Sequence, residues 1–503
     1  MEIKIRIEPE DVTRSIQRMI EVLLPGYHLR AGEPAGAQQF ISLQVSARDL
    51  GAAGIDVRAM ATIHPDGQKR EELNFQEKDI LDPRYLEGDR RRRLRDVSKK
   101  AAFLLLERLL DRNLNPWGIL IGVRPTKLVH YLRGKGFSFP EIGTILQDLY
   151  CLRQDKQELL LEVARREEAF LPRPGSSRKV SIYIGIPFCP TRCGYCSFPA
   201  YPRARYKGLY GSFCSELLEE VRSISRVVRD LGLEVDTIYL GGGTPTALDK
   251  EDLAELLQLV TAGLYGKETR EFCLEAGRPD TLSGEVLELI ASFPIDRLTI
   301  NPQTMNQVTL DRIGRAHTVA EVESAFSLAR EKGIRSINTD IIVGLPGEGR
   351  QDVETTLKRL LALKPQGVTV HTLALKRGSR WVQQGAELDL PAEEDVEEML
   401  EMAGLILGQA GFLPYYLYRQ KYMLGNMENT GFALPGHFGL YNMIMMEERE
   451  TVLGLGGGAI TKFVDGYRVE RIANPKFPGE YVEKRKELTA EKLSKLTSLH
   501  QVG

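Results

Sequence analysis

The sequence predicts an α/β protein whose centre is a partial (β/α)6 barrel, preceded by an α+β domain and followed by an α+β lobe. Between residues 180 and 375, short β-rich runs alternate with amphipathic helical stretches. This alternation favours a parallel sheet with right-handed crossovers, and six repeats fit a partial barrel better than a closed eight-fold one. A chain of 503 residues is long enough for about three domains.

The first predicted domain, residues 1–175, has a mixed pattern. Proline, glycine and serine cluster at residues 170–179, which indicates a linker at its end. Its predicted strands lie at 3–7, 40–46 and 55–63, and its predicted helices lie at 12–24 and 98–113.

The second predicted domain, residues 176–385, carries the barrel pattern. Because such barrels hold their chemistry at the C-terminal ends of the strands, we expect the site in the loops that follow them. The predicted strands are 181–186, 237–241, 271–276, 297–301, 336–344 and 367–373. The predicted helices between them are 210–231, 250–264, 283–292, 320–332 and 352–363.

The third predicted domain, residues 386–503, begins with a helix at 393–411. A segment rich in tyrosine, asparagine and glycine follows at 414–442, and a glycine-rich run follows at 452–460. So many turn formers and aromatic residues together suggest a lobe that faces a substrate.

Charge and hydropathy exclude several classes of protein. Lys plus Arg number 67 against 69 Asp plus Glu, so bulk electrostatic binding to nucleic acid or to an acidic membrane is not expected. The N-terminus lacks the apolar stretch of a signal peptide, and no apolar run is long enough to cross a bilayer. We therefore expect a cytoplasmic protein without a membrane partner.

Three of the six cysteines, Cys189, Cys193 and Cys196, lie on one short loop directly after the first predicted barrel strand. Three thiolates on such a loop can bind a soft metal or an iron–sulfur cluster. A closed zinc site needs four ligands, and no fourth cysteine or histidine lies nearby. Three cysteine ligands would therefore leave one coordination position of the bound metal open. The alternative interpretation of the loop is an incomplete zinc knuckle.

The CxxxCxxC spacing of this loop resembles the signature of radical S-adenosylmethionine (SAM) enzymes. The segments GGGTPT at 241–246, TDIIVGLPGE around Asp340, and PGHFGLYN followed by GLGGGA resemble the oxygen-independent coproporphyrinogen III oxidase family. With its long N-terminal region, the chain is most similar to the HemZ branch of that family. The resemblance covers residues 180–460.

This resemblance implies two cofactors: a [4Fe–4S] cluster on the three cysteines, and SAM, which chelates the fourth iron and yields a 5′-deoxyadenosyl radical. It implies catalytic roles for Tyr183 and Arg315. The implied SAM-binding residues are Tyr195, Gly242, Gly243, Thr244, Glu275, Gln303, Arg315, Asp340 and Ala374.

These assignments have ordinary structural alternatives. The glycines at 241–243 let a backbone approach a ligand closely, but they also suit a tight strand-to-helix turn. A carboxylate such as Asp340 is costly in an apolar strand unless it has a partner, which a ribose diol or an arginine could provide. Tyr183 could equally be a core residue.

The resemblance also implies a reaction, the oxidative decarboxylation of coproporphyrinogen III to protoporphyrinogen IX in heme biosynthesis. An electron donor such as flavodoxin or ferredoxin is the implied partner. One departure favours an alternative: Cys196 is followed by Ser197 and Phe198, whereas the well-described oxidases have a further cysteine there. This difference resembles the heme-chaperone branch, so heme binding and trafficking is the second hypothesis.

A basic stretch at residues 80–135 contains 14 Lys and Arg against 6 Asp and Glu. It could bind the propionates of a tetrapyrrole or RNA, or it could be a solvated helix face. Arg419 and Lys421 are alternative propionate partners, and His437 is the candidate heme ligand.

Overall fold

The computed structural model describes residues 2–30, 40–50, 54–64, 70–77, 84, 87–172, 178–466 and 468–500. The chain forms two compact units. The first unit comprises Met1–Ala164 and Tyr418–Met427, and the second comprises Arg165–Leu417 and Glu428–Gly503. Part of the predicted linker at 170–179 lies outside the described residues, and the three-domain division stays a prediction.

The first unit contains a five-stranded mixed sheet in the order β2-β1-β3-β4-β5. Strand β1 is parallel to both of its neighbours, and β3, β4 and β5 are joined in antiparallel fashion. The strands are β1 (Glu2–Glu8), β2 (His28–Arg30), β3 (Phe40–Asp49), β4 (Ile55–His64) and β5 (Arg70–Glu77).

Five helices accompany this sheet: α1 (Glu10–Leu23), α2 (Glu87–Leu110), α3 (Thr126–Gly134), α4 (Phe139–Asp148) and α5 (Gln154–Glu167). Helix α2 begins at Glu87 rather than at residue 98, because its arginine-rich first half has good helix propensity. The helix ends at Leu110, before Asp111, which adopts a positive φ of 51°.

The second unit is built on six parallel strands that are hydrogen-bonded in chain order, as predicted. They are β6 (Lys179–Ile186), β9 (Glu234–Gly242), β10 (Glu271–Glu275), β11 (Arg297–Thr299), β12 (Ser336–Val343) and β13 (Gly367–Thr372). Two-residue strands β7 (Phe188–Cys189) and β8 (Tyr201–Pro202) pair with each other in the loop after β6.

The helices of this region are α6 (Lys207–Asp230), α7 (Lys250–Gly263), α8 (Gly284–Ala291), α9 (Gln307–Arg312), α10 (Val319–Glu331), α11 (Arg350–Ala362), α12 (Arg380–Gln383) and α13 (Glu393–Gln409). Apolar strand residues such as Ile182, Ile184, Ile238 and Leu240 are fully buried. Near-continuous apolar burial is typical of a parallel sheet that is covered by helices.

The C-terminal segment extends the barrel sheet at both edges. Strand β15 pairs antiparallel with β13, whereas β16 pairs parallel with β6, because each outer barrel strand otherwise has an unpaired backbone edge. The elements are β14 (Leu413–Tyr418), β15 (Asn429–Ala433), α14 (Leu440–Glu447), β16 (Thr451–Gly456), β17 (Ile460–Asp465), β18 (Arg468–Ala473) and α15 (Pro478–His500).

Within the described residues, no helix combines the length and the apolar character that crossing a membrane requires.

Candidate cluster and cofactor site

The three cysteines lie where the sequence predicts, on the loop that follows β6. Cys189 and Cys193 are buried and Cys196 is half-buried, and all three are free thiols. Burial, together with the neighbouring Cys196 and Cys193 thiols, raises the pKa of Cys189 to about 12. Burial also raises the pKa of Cys196. Thiols in this setting become thiolates when a cation replaces their protons, which is the condition for iron binding.

The glycine turn after β9 is held against the backbone of the cysteine loop. The Gly243 amide donates to the Ile186 carbonyl at 2.6 Å. A Cβ atom at Gly243 would lie 2.4 Å from the Phe188 carbonyl oxygen, and Gly242 has a φ of +106°. Only glycine fits both positions, so the turn fixes the path of the chain toward Cys189.

Thr244 completes this contact with both its backbone and its side chain. Its amide donates to the Phe188 carbonyl at 2.8 Å, and its Oγ1 lies 3.2 Å from Cys189 Sγ. The side chain is 1% exposed. The hydroxyl of Thr244 therefore positions the Cys189 thiol.

Arg315 reaches the same loop from the end of α9. Its Nη1 lies 3.9 Å from Cys193 Sγ and 3.4 Å from Tyr195 Oη. Its Nη2 donates to the carbonyls of Gly277, at 2.8 Å, and Asn301. Arg315 therefore joins the cysteine loop to the segments that follow β10 and β11.

A second buried arginine, Arg278, was missed by the sequence analysis. Its Nη1 lies 3.8 Å from Cys193 Sγ and donates to Thr191 Oγ1 at 3.0 Å, while Asp280 accepts its other two donors. The sequence feature that could have identified Arg278 is a cation directly after the third barrel strand.

Burial and the two nearby arginines lower the pKa of His317 to about 3, so this histidine is neutral at pH 7.

Gln303 has an uncommon backbone conformation, with a φ of 75°. Its amide donates to the Asp340 carbonyl at 3.0 Å, and its carbonyl accepts from the Ile342 amide at 2.9 Å. Among the described residues, no group hydrogen-bonds its buried Oε1. A non-glycine residue held at positive φ costs roughly 1–3 kcal/mol and is often found at ligand sites.

Glu275 and Asp340 lie on neighbouring parts of the same barrel interior. Burial raises the pKa of Glu275 to about 7; the hydrogen bond from Tyr239 opposes this shift, whereas the charge of Asp340 adds to it. Asp340 accepts from Asn338 Nδ2 at 3.0 Å and lies 3.5 Å from His371 Nε2. Asp340 thus already has partners within the protein, which fits the alternative in which this acid has a structural role rather than a role in binding SAM.

Tyr183 belongs to a stack of three tyrosines inside the barrel. Its ring centroid lies 6.1 Å from that of Tyr239 and 6.0 Å from that of Tyr441, and the latter two are 4.4 Å apart. Burial raises the pKa of all three phenols. Tyr239 and Tyr441 were not predicted as site residues from the sequence, although Tyr239 lies directly opposite Tyr183 in the strand register.

Two predicted cofactor contacts lie at the rim of the site. The Tyr195 ring meets the Trp381 ring edge-on at 6.1 Å between centroids, and the Trp381 amide donates to the Gly194 carbonyl at 3.1 Å. Ala374 is half-buried and follows the end of β13.

Two other candidates have hydrogen-bond partners within the protein. Arg419 is 5% exposed and donates to the carbonyls of Leu120, Asn426 and Met427, so it is not free to bind a propionate. His437 Nδ1 lies 3.3 Å from Ser336 Oγ.

Cations of the basic stretch at 80–135 pair with acids of the first unit. Arg90 bonds Asp49, Lys99 bonds Asp96 and Lys135 bonds Asp89. The Lys99–Asp96 and Lys135–Asp89 pairs are largely buried, so these cations take part in packing within the first unit, and only part of the stretch is a solvated helix face.

The residues present fit a [4Fe–4S] cluster and SAM. Three adjacent thiols leave one iron of such a cluster without a protein ligand. Near them lie a glycine turn that tolerates no side chain, and the buried, unpartnered Gln303 Oε1 and Arg315 Nε atoms. Unpartnered buried polar atoms are uncommon in folded proteins and indicate a missing ligand or water.

The barrel and the cysteine loop define a radical SAM protein, and residues 183–360 match the Radical SAM superfamily. Membership implies a [4Fe–4S] cluster and SAM as cofactors. The chain is 36% identical to the oxygen-independent coproporphyrinogen-III oxidase-like protein HemZ of Bacillus subtilis, over 100% of this chain and 99% of that one. The chain therefore belongs to the family of that oxidase-like protein.

Two further comparisons each cover about two thirds of the chain. Identity to the heme chaperone HemW of Bacillus subtilis is 29%, over 64% of this chain and 79% of that one. The structure of coproporphyrinogen III oxidase (HemN) from Escherichia coli matches with a TM-score of 0.51 at 23% identity, over 65% of this chain and 73% of that one. The match to the HemN structure shows that the two chains share a fold.

Proposed function

We propose that this chain catalyses the oxygen-independent oxidative decarboxylation of coproporphyrinogen III to protoporphyrinogen IX in the cytoplasm. The observation that carries the proposal is the full-length similarity to an oxidase-like protein, which includes the regions outside the barrel. The cysteine loop, the glycine turn and the strand-end polar side chains supply the radical-forming site that this reaction needs.

We assign the side chains roles that follow from their positions. Cys189, Cys193 and Cys196 hold the cluster, which with SAM supplies the 5′-deoxyadenosyl radical when both are bound. Ionised Glu275 accepts a hydrogen bond from the amino group of SAM, and Asp340 accepts hydrogen bonds from the ribose hydroxyls. The remaining assigned contacts to SAM are Tyr195, Gly242, Gly243, Thr244, Gln303, Arg315 and Ala374.

The tyrosine stack of Tyr183, Tyr239 and Tyr441 fills the barrel interior beside Glu275. Bulky rings exclude water from this side of the site, and exclusion of water protects a reactive radical from side reactions. Tyr183 and Arg315 act next to the reacting groups, Tyr183 through this stack and Arg315 at Cys193.

The reaction balances as follows for each propionate. The substrate loses one hydrogen atom from the β-carbon, carbon dioxide and one electron, and a vinyl group remains. An external acceptor takes that electron, and each SAM consumed requires one electron from a donor such as flavodoxin or ferredoxin.

An anaerobic assay tests the proposal. Reconstituted, dithionite-reduced protein is incubated with SAM and coproporphyrinogen III, and the products are followed by mass. We expect loss of two carboxyl groups coupled to formation of 5′-deoxyadenosine. Deoxyadenosine without any change in the tetrapyrrole would reject coproporphyrinogen III as the substrate.

A second candidate function is heme binding and trafficking. It is supported by Ser197 and Phe198 in place of a further cysteine, and by the similarity to the heme chaperone HemW. Heme titration of the same protein, followed by its absorbance, tests it. Saturable binding of one heme that weakens in His437→Ala supports this function, and non-saturable binding rejects it.

A further inference from the structure

Five basic side chains border the cysteine loop on its outer side. We call them the cationic rim: Arg192, Lys376, Arg377, Arg380 and Lys476. Arg192 belongs to the loop itself, and the others come from the segment after β13 and the segment before α15.

Hydrogen bonds hold the segment after β13 against the cysteine loop. Arg192 Nη2 donates to the Gly378 carbonyl at 2.6 Å, and Arg380 Nη1 donates to the Arg192 carbonyl at 3.2 Å. A Cβ at Gly378 would lie 3.6 Å from the Ser197 Cβ, so this segment passes directly over the residue that follows Cys196.

Lys476 joins the rim from the other side. A Cβ at Gly458 would lie 2.8 Å from Pro199 Cγ and 3.6 Å from Lys476 Cγ, which places Lys476 beside the end of the cysteine loop.

The rim is not neutralised by acids. In the part of the chain that the structure describes, none of the five cations has a carboxylate within salt-bridge distance. Arg377, Arg380 and Lys476 are exposed. This local excess contrasts with the whole chain, whose formal charge is −2.

Exposed apolar side chains lie among these cations. Phe198 is 62% exposed, Val382 is 40% exposed and Phe477 is 39% exposed. An apolar patch bordered by charge is typical of a protein–protein contact surface, since the apolar groups supply contact area and the charges orient the partner. The large exposure of Phe198, next to a cluster-binding segment, has no packing explanation within the chain.

We propose that the cationic rim is the docking surface for an acidic one-electron carrier protein of the flavin or iron–sulfur type. The inference rests on the proposed radical chemistry, which consumes one electron per SAM. One electron passes from the reduced carrier to the oxidised cluster, so the carrier is oxidised by one electron and no bond is formed or broken. Opposite charge steers such encounters, and small interfaces suit their brief lifetime.

Charge reversal tests the rim without touching the cofactor site. The test variant is Arg377→Glu/Lys476→Glu, and the matched control is Lys267→Glu/Arg335→Glu. The control cations are also exposed but precede β10 and β12, at the opposite ends of the barrel strands. Both variants replace two cations by two anions, so global charge changes equally.

The first readout is equilibrium binding of oxidised flavodoxin to the cluster-free protein, at low and at high ionic strength. We expect the test variant to weaken binding at least about tenfold at low salt, while the control stays within about twofold. Equal weakening in both variants, or binding that does not respond to salt, would overturn the proposal.

The second readout is the rate of cluster reduction by reduced flavodoxin, compared with reduction by dithionite. We expect the test variant to lose at least about tenfold in the flavodoxin rate only. A raised KM for the tetrapyrrole with an unchanged flavodoxin rate would assign the rim to substrate binding and overturn the proposal. If the wild-type protein fails to cleave SAM with dithionite, the proposed function is rejected instead. That outcome is separate from the docking test, because flavodoxin binding is measured without SAM cleavage.

Discussion

At the scale of single residues, the site combines groups whose ordinary chemistry has been shifted by burial. Glu275 is the clearest case, because burial raises its pKa to about 7 from the ordinary value of 4.5. In the SAM-free protein, the protonated Glu275 carboxyl stabilises the folded state. This stabilisation is complete below pH 4.5 and is lost as the pH rises through about 7. The carboxylate, which would accept a hydrogen bond from the amino group of SAM, forms over the same pH range.

We therefore predict that SAM binds more tightly as the pH rises. Between pH 6 and pH 8 the affinity should increase about tenfold, because Glu275 changes from mostly protonated to mostly ionised. Calorimetric titration of the reconstituted protein with SAM measures this change. The variant Glu275→Gln should bind weakly at both pH values, and an undiminished pH dependence in that variant would contradict the assignment.

Gly243 gives a steric prediction at the same scale. In Gly243→Ala the new Cβ would meet the Phe188 carbonyl at 2.4 Å, so the backbone near Cys189 must move. We expect a destabilisation of about 1–3 kcal/mol and a reduced iron content after reconstitution. Iron analysis and urea unfolding measure both effects. As a control, Gly266→Ala meets no atom within 4 Å and should leave both unchanged.

At the scale of elements, helix α15 is tied to α6 and to strand β16 by a buried polar network. Lys492 Nζ lies 2.8 Å from Glu220 Oε1, and Glu220 Oε2 accepts from Tyr481 Oη and the Gly456 amide, both at 2.8 Å. Lys492 also donates to Asn474 Oδ1 at 2.6 Å. Every charge in this network has a partner, which is the condition for keeping an ion pair in a protein interior.

Removing one member of the network should be costly. In Lys492→Met the Glu220 carboxylate loses its cation in a fully buried position, and we expect a loss of about 3–5 kcal/mol in the free energy of unfolding. Denaturant titration measures this loss. On the same helix, Lys484→Met removes an ion pair whose side chains are 53% and 48% exposed, and it should leave the free energy of unfolding nearly unchanged, because water screens an exposed pair. Similar losses in the two variants would contradict the argument.

The sequence predicted those elements whose signal is local. The six barrel strands and most of their helices were predicted within a few residues, because buried apolar runs and helical periodicity lie within short windows. The pairing of β16 with β6 could not be predicted, because nothing in residues 451–456 specifies a partner at 179–186. For the same reason the Arg278 contact with Cys193 was missed, since it joins two loops that are distant in the chain.

At the scale of the whole molecule, the cluster is expected to act as a structural ligand as well as a reagent. It would join the three cysteines, and its loop contacts the turn after β9 and the segment around Trp381. A ligand that binds only the folded state stabilises it, by about 2.7 kcal/mol at 100 times its Kd.

We predict that anaerobic reconstitution raises the midpoint of thermal unfolding and quenches the fluorescence of Trp381, whose ring lies next to Gly194. Iron chelation should reverse both changes. Cys193→Ser should show neither change on reconstitution, although its apo-protein should unfold at nearly the wild-type temperature. A rise in the midpoint that persists in Cys193→Ser would show that iron stabilises the protein elsewhere.

The pairing of β16 with β6 has a consequence for the order in which the protein is made. The ribosome synthesises Gly456 and Gly457, which pack against Gly185 and Pro187 just before the cysteine loop, more than 250 residues after that loop. A nascent chain therefore exposes its three cysteines long before their surroundings exist. Insertion of a cluster into the fully supported loop must follow synthesis of β16, so the cellular machinery that delivers iron and sulfur meets a chain that already contains both partners.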